Sequence, residues 1–282
     1  MRNRGASGAV YGEVQLLREV ALLKWLPESY PESDGLRTHL LTMTGLPEHL
    51  FANPVWHALG TKHRHFAVSK GQARRYPADV VPFVAVAEPS VEALEWLYSL
   101  LVPGEQVWIA EAKFSEWPEL AWETSIDCLQ MVLPEEIPVP PDAPVEMASL
   151  SCADAAGMVA LTDLAFPGFF RVKTCEMGRY YGVRANGELV SMSGERIMLD
   201  GYPEVSGVCT HPGHRGKGYA AALMWQVIRD HRRDGLVSWL HVSEGNRHAI
   251  ELYLRMGFVE ARRQVWHRIS RRAQSTGFAA KL

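Results

Sequence analysis

The sequence predicts an α/β fold: a mixed central sheet flanked by helices, preceded by a smaller α/β N-terminal domain. Three observations predict it. Short apolar runs bounded by Gly, Pro and Asn alternate with helix-forming stretches. Asn186-Gly187 stands between two strand-like runs, the residue pair that a tight hairpin turn requires. An apolar run at 204–210 passes through a Pro/Gly turn directly into a helical run that starts at residue 217.

In chain order, residues 81–87 (Val-Pro-Phe-Val-Ala-Val-Ala) read as a strand. Ser90 is an N-cap for a helix through residue 101, and Pro103-Gly104 turns the chain into a second strand at 106–110. This N-terminal part is open to reading as a degenerate copy of the C-terminal fold. Five prolines between 134 and 144 disfavour helix and central strand, so the boundaries expected are an N-terminal domain at 1–133, a linker at 134–144, a main domain at 145–270 and a basic tail at 271–282. Within the main domain, 145–147 is extended and 154–164 helical. Strands at 180–184 and 189–198 flank the hairpin turn; then come a strand at 204–210, a helix at 217–233 and a strand at 237–242. A helix opening at Asn246 and a strand at 258–269 complete the order.

Composition bounds the function. With 282 residues and 47% hydrophobic content the chain can bury a large core. A formal charge of −3 gives no general attraction to nucleic acid or to an anionic membrane. Cys128, Cys152, Cys175 and Cys209 are widely spaced and are expected as free thiols in a reducing cytoplasm. No signal peptide or long apolar run is evident, so a soluble cytoplasmic protein is expected. His57, His63 and His65 have no Cys or carboxylate to complete a cluster, and are expected as surface or helix-packing histidines rather than metal ligands.

The chemistry concentrates in residues 205–223. Glycines at 216 and 218, just before a helix, aim unpaired N–H groups and the positive end of the helix dipole at one point, where a phosphate binds. A nucleoside-triphosphate P-loop is excluded, because Gly218 follows Gly216-Lys217 where Ser or Thr is needed and His211 replaces the first glycine. A dinucleotide turn matches locally through Gly216, Gly218 and Ala221, with Glu244 near the acidic offset. Only about sixty residues follow it, too few for the usual further strand–helix units, and it is kept as an alternative.

Arg215-x-x-Gly218-x-Ala220 resembles the pyrophosphate-binding motif of the GNAT superfamily of acyl-CoA-dependent N-acyltransferases. Asn246-Arg-His-Ala249-Ile-Glu-Leu-Tyr253-Leu-Arg-Met-Gly257-Phe258 resembles that family's second signature. Independently of the resemblance, Asn246, Ala249, Ile250 and Tyr253 share one helix face, and Gly257 suits the helix end. The resemblance covers about the last 135 residues and implies acetyl-CoA as co-substrate. It implies that Arg215, Gly216, Lys217, Gly218, Tyr219, Ala220 and Ala221 hold the pyrophosphate, and that Val208, Cys209 and Thr210 pair with the pantetheine arm. Asn246 belongs to the same cofactor set. Val208 or Cys209 is the candidate N–H for the thioester carbonyl.

On the same resemblance Tyr253 protonates the leaving thiolate and Glu204 is the base, with Glu195 and His211 as rivals. Cys209 is read as a strand residue rather than a nucleophile. The acceptor is expected to be a small-molecule amine; 166–171 and the Tyr180-Tyr181 hairpin are open to two readings, as the lining of its pocket or as packing at the domain interface, and a homodimer is left open. Arg262, Arg263, Arg268, Arg271 and Arg272 are candidates for the CoA ribose phosphate or for a solvated charged end. A non-catalytic acyl-CoA sensor is the other functional alternative.

Overall fold

The computed structural model describes residues 47–110 and 119–272. The first helices, α1 (Glu48–Ala52) and α2 (Pro54–Gly60), are short, and α2 is capped by Asn53, which accepts from Trp56 N. Strands β1 (Val68–Lys70), β2 (Ala73–Arg75) and β3 (Phe83–Val86) follow. Helix α3 (Val91–Leu100) starts where Ser90 Oγ accepts from Ala93 N at 3.1 Å, the cap expected from sequence. It leads to β4 (Gln106–Ala110), which runs parallel to β3. A long strand, β5 (Leu120–Val132), closes the first half.

The second half contributes β6 (Ala148–Leu150), α4 (Ala155–Asp163), β7 (Tyr180–Ala185), β8 (Glu188–Leu199) and β9 (Tyr202–Thr210). It continues through α5 (Tyr219–Arg233), β10 (Trp239–Ser243), α6 (Arg247–Arg255) and β11 (Val259–Arg271). Asn186 and Gly187, at φ 53° and 85°, make the β7–β8 turn. Each predicted element of this half is present, with ends shifted by a few residues; the extended stretch expected at 145–147 is realised at 148–150.

All the described strands form one sheet, in the order β1-β2-β3-β4-β11-β5-β10-β9-β8-β7-β6. The two long strands are exchanged between halves. β5 pairs with β10, β11 pairs with β4, and β5 and β11 pair with each other, all antiparallel. The proline-rich stretch 134–144 therefore joins β5 to β6 within one sheet.

α5 and α6 pack on Leu129, Met131, Val205, Leu240, Val242 and Phe258. On the opposite face, α1 and α2 cover Val132, Ile197, Leu199, Trp239 and Trp266, while α4 covers Tyr180, Met192 and Cys209. α3 packs on Val84, Val107, Ile109 and Ile269. These apolar faces supply the main driving force of the fold. Among the described residues no helix is long and apolar enough to cross a membrane.

One sequence expectation is corrected. Cys152 and Cys175 form a disulfide, with Cα atoms 5.4 Å apart; Cys128 and Cys209 are the free thiols. The pair was hidden by its separation of 23 residues, which the chain closes by folding a helix and an irregular segment back on themselves.

His63 is a core residue, neither on the surface nor packing a helix face: its ring meets Tyr76 Oη at 2.8 Å and Met177 O at 3.1 Å. Burial pushes its pKa down to about 4.

Candidate active site

The site is built where β9 leaves β10. The two strands are parallel and share one ladder pair, Trp239 with Glu204; beyond it β9 has no strand partner on that side among the described residues. A bulge helps turn β9 away. Between Met192–Cys209 and Gly194–Ser206, one residue of β8 (Ser193) faces two of β9 (Gly207 and Val208). Gly207 sits at φ 62°, which a side chain would strain, and an added Cβ would also lie 3.1 Å from Met192 Cε.

Hydrogen-bond alternation then says which N–H groups face the gap. His211 N donates to Val190 O at 2.8 Å, and Met192 pairs with Cys209 two residues earlier, so Cys209 N–H also faces β8. Val208 and Thr210 face outward, towards the gap. Of the two candidates for a carbonyl-binding N–H, the register selects Val208.

The end of β9 runs through a short turn into α5. His211 Nδ1 accepts from Gly213 N at 3.2 Å and shapes that turn. Gly216 and Gly218 follow at φ 77° and 75°. Gly218 is the N-cap of α5 and offers no side-chain cap. The first helical backbone bond is Ala222 N to Gly218 O at 3.0 Å, and the N–H groups from 216 to 221 find no acceptor among the described residues.

A Cβ built on Gly216 or Gly218 would meet no atom within 4 Å, so these glycines border open space. Arg215 Nε donates to Thr210 O at 3.5 Å, and neither Arg215 nor Lys217 has a carboxylate partner among the described residues. Exposed cations, orphan N–H groups and a helix N-terminus converge with nothing to neutralise them. That donor set fits a pyrophosphate.

Tyr253 approaches the gap from the α6 side. Asn246 Oδ1 caps α6 by accepting from Ala249 N at 3.2 Å, and Gly257, at φ 95°, ends it. The Tyr253 ring is buried among the α5–α6 core residues, and its hydroxyl has no hydrogen-bond partner among the described residues. Burial, with a smaller contribution from nearby Cys209, raises its pKa well above the ordinary phenol value, so it holds its proton. Cys209 is buried too, and burial pushes its thiol up to about 12, which removes it as a nucleophile.

Glu204 is placed differently from the expectation of a base. It is fully buried and accepts from Arg196 Nε (3.0 Å), Arg196 Nη2 (2.8 Å), Ile197 N (3.1 Å) and His241 Nδ1 (2.8 Å). Burial alone would raise its pKa; the Arg196 charge and the His241 contact outweigh that and hold the carboxyl well below the usual range. A carboxylate with its lone pairs filled by four donors is a poor proton acceptor. The direct-base role for Glu204 is therefore corrected to a structural one.

Glu195 is tied in the same way by Arg179 and His231, and its pKa is held at about 2. The network continues from His241 Nε2 to Gln264 Oε1 (3.1 Å) and Gln130 Nε2 (3.2 Å), linking β9, β10, β11 and β5. Sequence reading missed it because its members come from four distant strands.

The C-terminal arginines are engaged elsewhere. Arg263 pairs with Glu244 and Glu260, Arg268 with Glu123, and Arg271 donates to Leu101 O and covers the Tyr98 ring. Most of the expected basic tail lies outside the described residues.

A family model, the acetyltransferase (GNAT) family, matches residues 157–258, which span α4 to the end of α6. A protein of Novosphingobium aromaticivorans assigned to the GNAT acetyltransferases shares 32% identity over 79% of this chain and 99% of its own, with a TM-score of 0.71. The chain belongs to the GNAT family.

The fold is shared more widely. A GCN5-related N-acetyltransferase-like protein of Streptococcus suis matches at TM-score 0.52 and 12% identity, covering 82% of this chain and 97% of its own. A GCN5-related N-acetyltransferase of Kribbella flavida matches at TM-score 0.50 and 18% identity, covering 73% and 89%. No curated protein matches the chain. The GNAT assignment accounts for the matched span and for the acetyltransferase class.

Proposed function

We propose that this GNAT protein is an N-acetyltransferase that moves the acetyl group of acetyl-CoA to the primary amine of a small molecule by direct attack. The observation that carries the reading is the uncapped start of α5 beside the gap between β9 and β10. Residues 215–221 would hold the pyrophosphate, with Asn246 at the neighbouring helix start. The outward edge of β9 from Val208 to Thr210 would pair with the pantetheine arm as an added strand does.

Acetyl-CoA supplies an acyl group already activated as a thioester. The amine lone pair forms the C–N bond while the carbonyl π pair moves to oxygen, where Val208 N–H stabilises it. Collapse breaks the C–S bond, and the thiolate takes the Tyr253 proton. The proton lost by the amine passes to water, which in turn reprotonates Tyr253, because Glu204 and Glu195 are committed to Arg196, Arg179, His241 and His231. Cofactor binding and oxyanion stabilisation are thus assigned to the backbone, and proton donation to a phenol.

Thermal unfolding with acetyl-CoA, CoA or NAD tests the cofactor. A ligand at 100 times its Kd stabilises the fold by about 2.7 kcal/mol. Stabilisation by acetyl-CoA and CoA but not NAD, followed by thiol release with a panel of primary amines, is the expected result. Stabilisation by NAD alone, or by nothing, overturns the reading. Stabilisation by acetyl-CoA without thiol release for any amine or for water would make the protein an acyl-CoA sensor.

A further inference from the structure

The Cys152–Cys175 bond fastens one particular segment. Residues 164–179 run from the end of α4 to the start of β7, with one short 3-10 turn as their only regular structure. Towards the first half the segment is tied by charge and hydrogen bonds. Lys173 Nζ meets Asp79 Oδ2 at 2.6 Å, Lys173 N donates to Asp79 O at 2.9 Å, and Thr174 Oγ1 donates to Val80 O. Towards α4 it is held differently. Gly168 N donates to Asp163 Oδ1 at 3.2 Å, Phe170 packs with Met158 and Leu161, and the disulfide joins Cys175 to Cys152, just ahead of α4.

A cavity of about 520 Å3 lies among these anchors. Pro167, Phe170 and Val172 line it from the segment, Val159 and Asp163 from α4, and Asp79 from the first half. The segment is thus a strap along the cavity, and the disulfide is its covalent fastening to the α4 side.

Three features suit that fastening to opening and closing. Cys152 is exposed whereas Cys175 is buried, so an incoming thiolate meets the Cys152 sulfur first. Cys175 Sγ lies 3.3 Å from Val172 O, an acceptor in place for the S–H that reduction creates. The start of α4 is also capped without the bond: Ser151 N donates to Asp154 Oδ2 at 2.8 Å, and Ala153 N donates to Ser151 Oγ at 3.2 Å. Both redox states therefore find their local partners already present.

We infer that Cys152–Cys175 is a reversible thiol–disulfide exchange site whose state sets how tightly the strap closes the cavity. The reductant is a dithiol. Its first thiolate attacks the Cys152 sulfur, the S–S bond breaks, and a mixed disulfide forms. The electron pair goes to the Cys175 sulfur, which takes a proton from water and then hydrogen-bonds to Val172 O. The second thiolate attacks the dithiol's own sulfur in the mixed disulfide, and Cys152 leaves and is protonated in turn. The dithiol ends as a cyclic disulfide and the protein gains two thiols, with the protons the dithiol gave up. The ties to Asp79 and Val80 then keep the strap on the first half while it parts from α4. The inference stands independently of the acetyl-transfer reading.

The test is mass spectrometry of the full chain, prepared without reductant and then treated with dithiothreitol under native conditions. Alkylation in denaturant should label two cysteines before treatment, Cys128 and Cys209, and all four after it. Removing the dithiol and adding oxidised glutathione should bring the count back to two. Hydrogen exchange in residues 164–176 should speed up on the order of 100-fold on reduction, as release of a loop of this size implies. β8, β9 and α5 should keep their protection. Cys152→Ser should exchange like the reduced wild type and be indifferent to the dithiol. Four labels before treatment would overturn the inference by removing the bond. A bond that resists the dithiol until the chain unfolds, a count that stays at four on reoxidation, or unchanged exchange in 164–176 would overturn it by removing the switch.

Discussion

The molecule contains two strand–helix–parallel-strand units, β3–α3–β4 and β9–α5–β10, and they differ at the helix start. In the first, Ala87-Glu88-Pro89-Ser90 makes the connection, and Ser90 satisfies Ala93 N with its own side chain. In the second, Gly218 gives no side-chain cap, and among the described residues neither Arg215 nor Lys217 has a carboxylate partner. The same local architecture is closed in one half and ready for an anion in the other. The units also differ beyond their second strand. Nine residues (111–119) separate β4 from β5, whereas fifteen (244–258) separate β10 from β11 and include α6 with Tyr253. On the proposed function, binding and proton donation therefore fall in the second unit.

The largest effect expected from breaking this asymmetry is on turnover. Tyr253→Phe should lower kcat by on the order of 100-fold or more, with acetyl-CoA binding retained. Steady-state thiol release together with a thermal shift separates the two quantities, and wild-type turnover would reduce Tyr253 to a packing residue.

Acid comes next, and it probes the seam between the halves. His63 has its folded pKa lowered from 6.5 to about 4 while bonded to Met177 of the other half. Between those values the unfolded chain binds the extra proton, so stability rises with pH and is lost on acidification from 6.5 towards 4. The loss is roughly 3 kcal/mol for a shift of that size. Glu195, depressed from 4.5 to about 2, adds stability that is present above 4.5 and lost as pH falls from 4.5 towards 2. Urea titrations at pH 7, 5 and 4 should show this slope, and His63→Asn should flatten it above pH 4.5.

Closing the open helix start is predicted to matter less for stability than for ligand. Gly218→Ala, at φ 75°, should cost about 1–2 kcal/mol from left-handed strain. It should also abolish most of the stabilisation by acetyl-CoA; an undiminished ligand shift would move the anion site elsewhere. The smallest effect belongs to the capped unit. Ser90→Ala should cost about 1 kcal/mol and leave the acetyl-CoA shift untouched.

Much of the second half was legible because local chemistry dictates it. Asn186-Gly187 can make the hairpin turn, Gly216 and Gly218 can take positive φ, and Gly257 can end a helix. Residues 215–221 lead into α5 and Tyr253 lies on α6, the elements that their local pattern predicts. β5 was missed because its middle, Glu123-Thr124-Ser125, is exposed and its apolar residues follow no clean alternation. Only its pairing with β11 and β10 makes it a strand. The prolines at 134–144 mark an extended connection but say nothing about which strands pair across it. Glu204 was misread because its partners, Arg196 and His241, come from β8 and β10, and sequence offers no measure of a filled lone pair. The Cys152–Cys175 bond was hidden for the same reason, as a contact set by tertiary folding.

The exchanged strands also set a timetable for synthesis. As the chain emerges, β5 is complete long before either of its neighbours exists: β10 begins at residue 239 and β11 ends at residue 271. Until then one edge of β4 and both edges of β5 lack the strands that will cover them, a template for pairing with another chain. Closure depends on contacts distant in sequence, the slow kind of step. A nascent chain stalled after residue 133 would carry those open edges, so the first half depends on completion of the second before it is safe from aggregation.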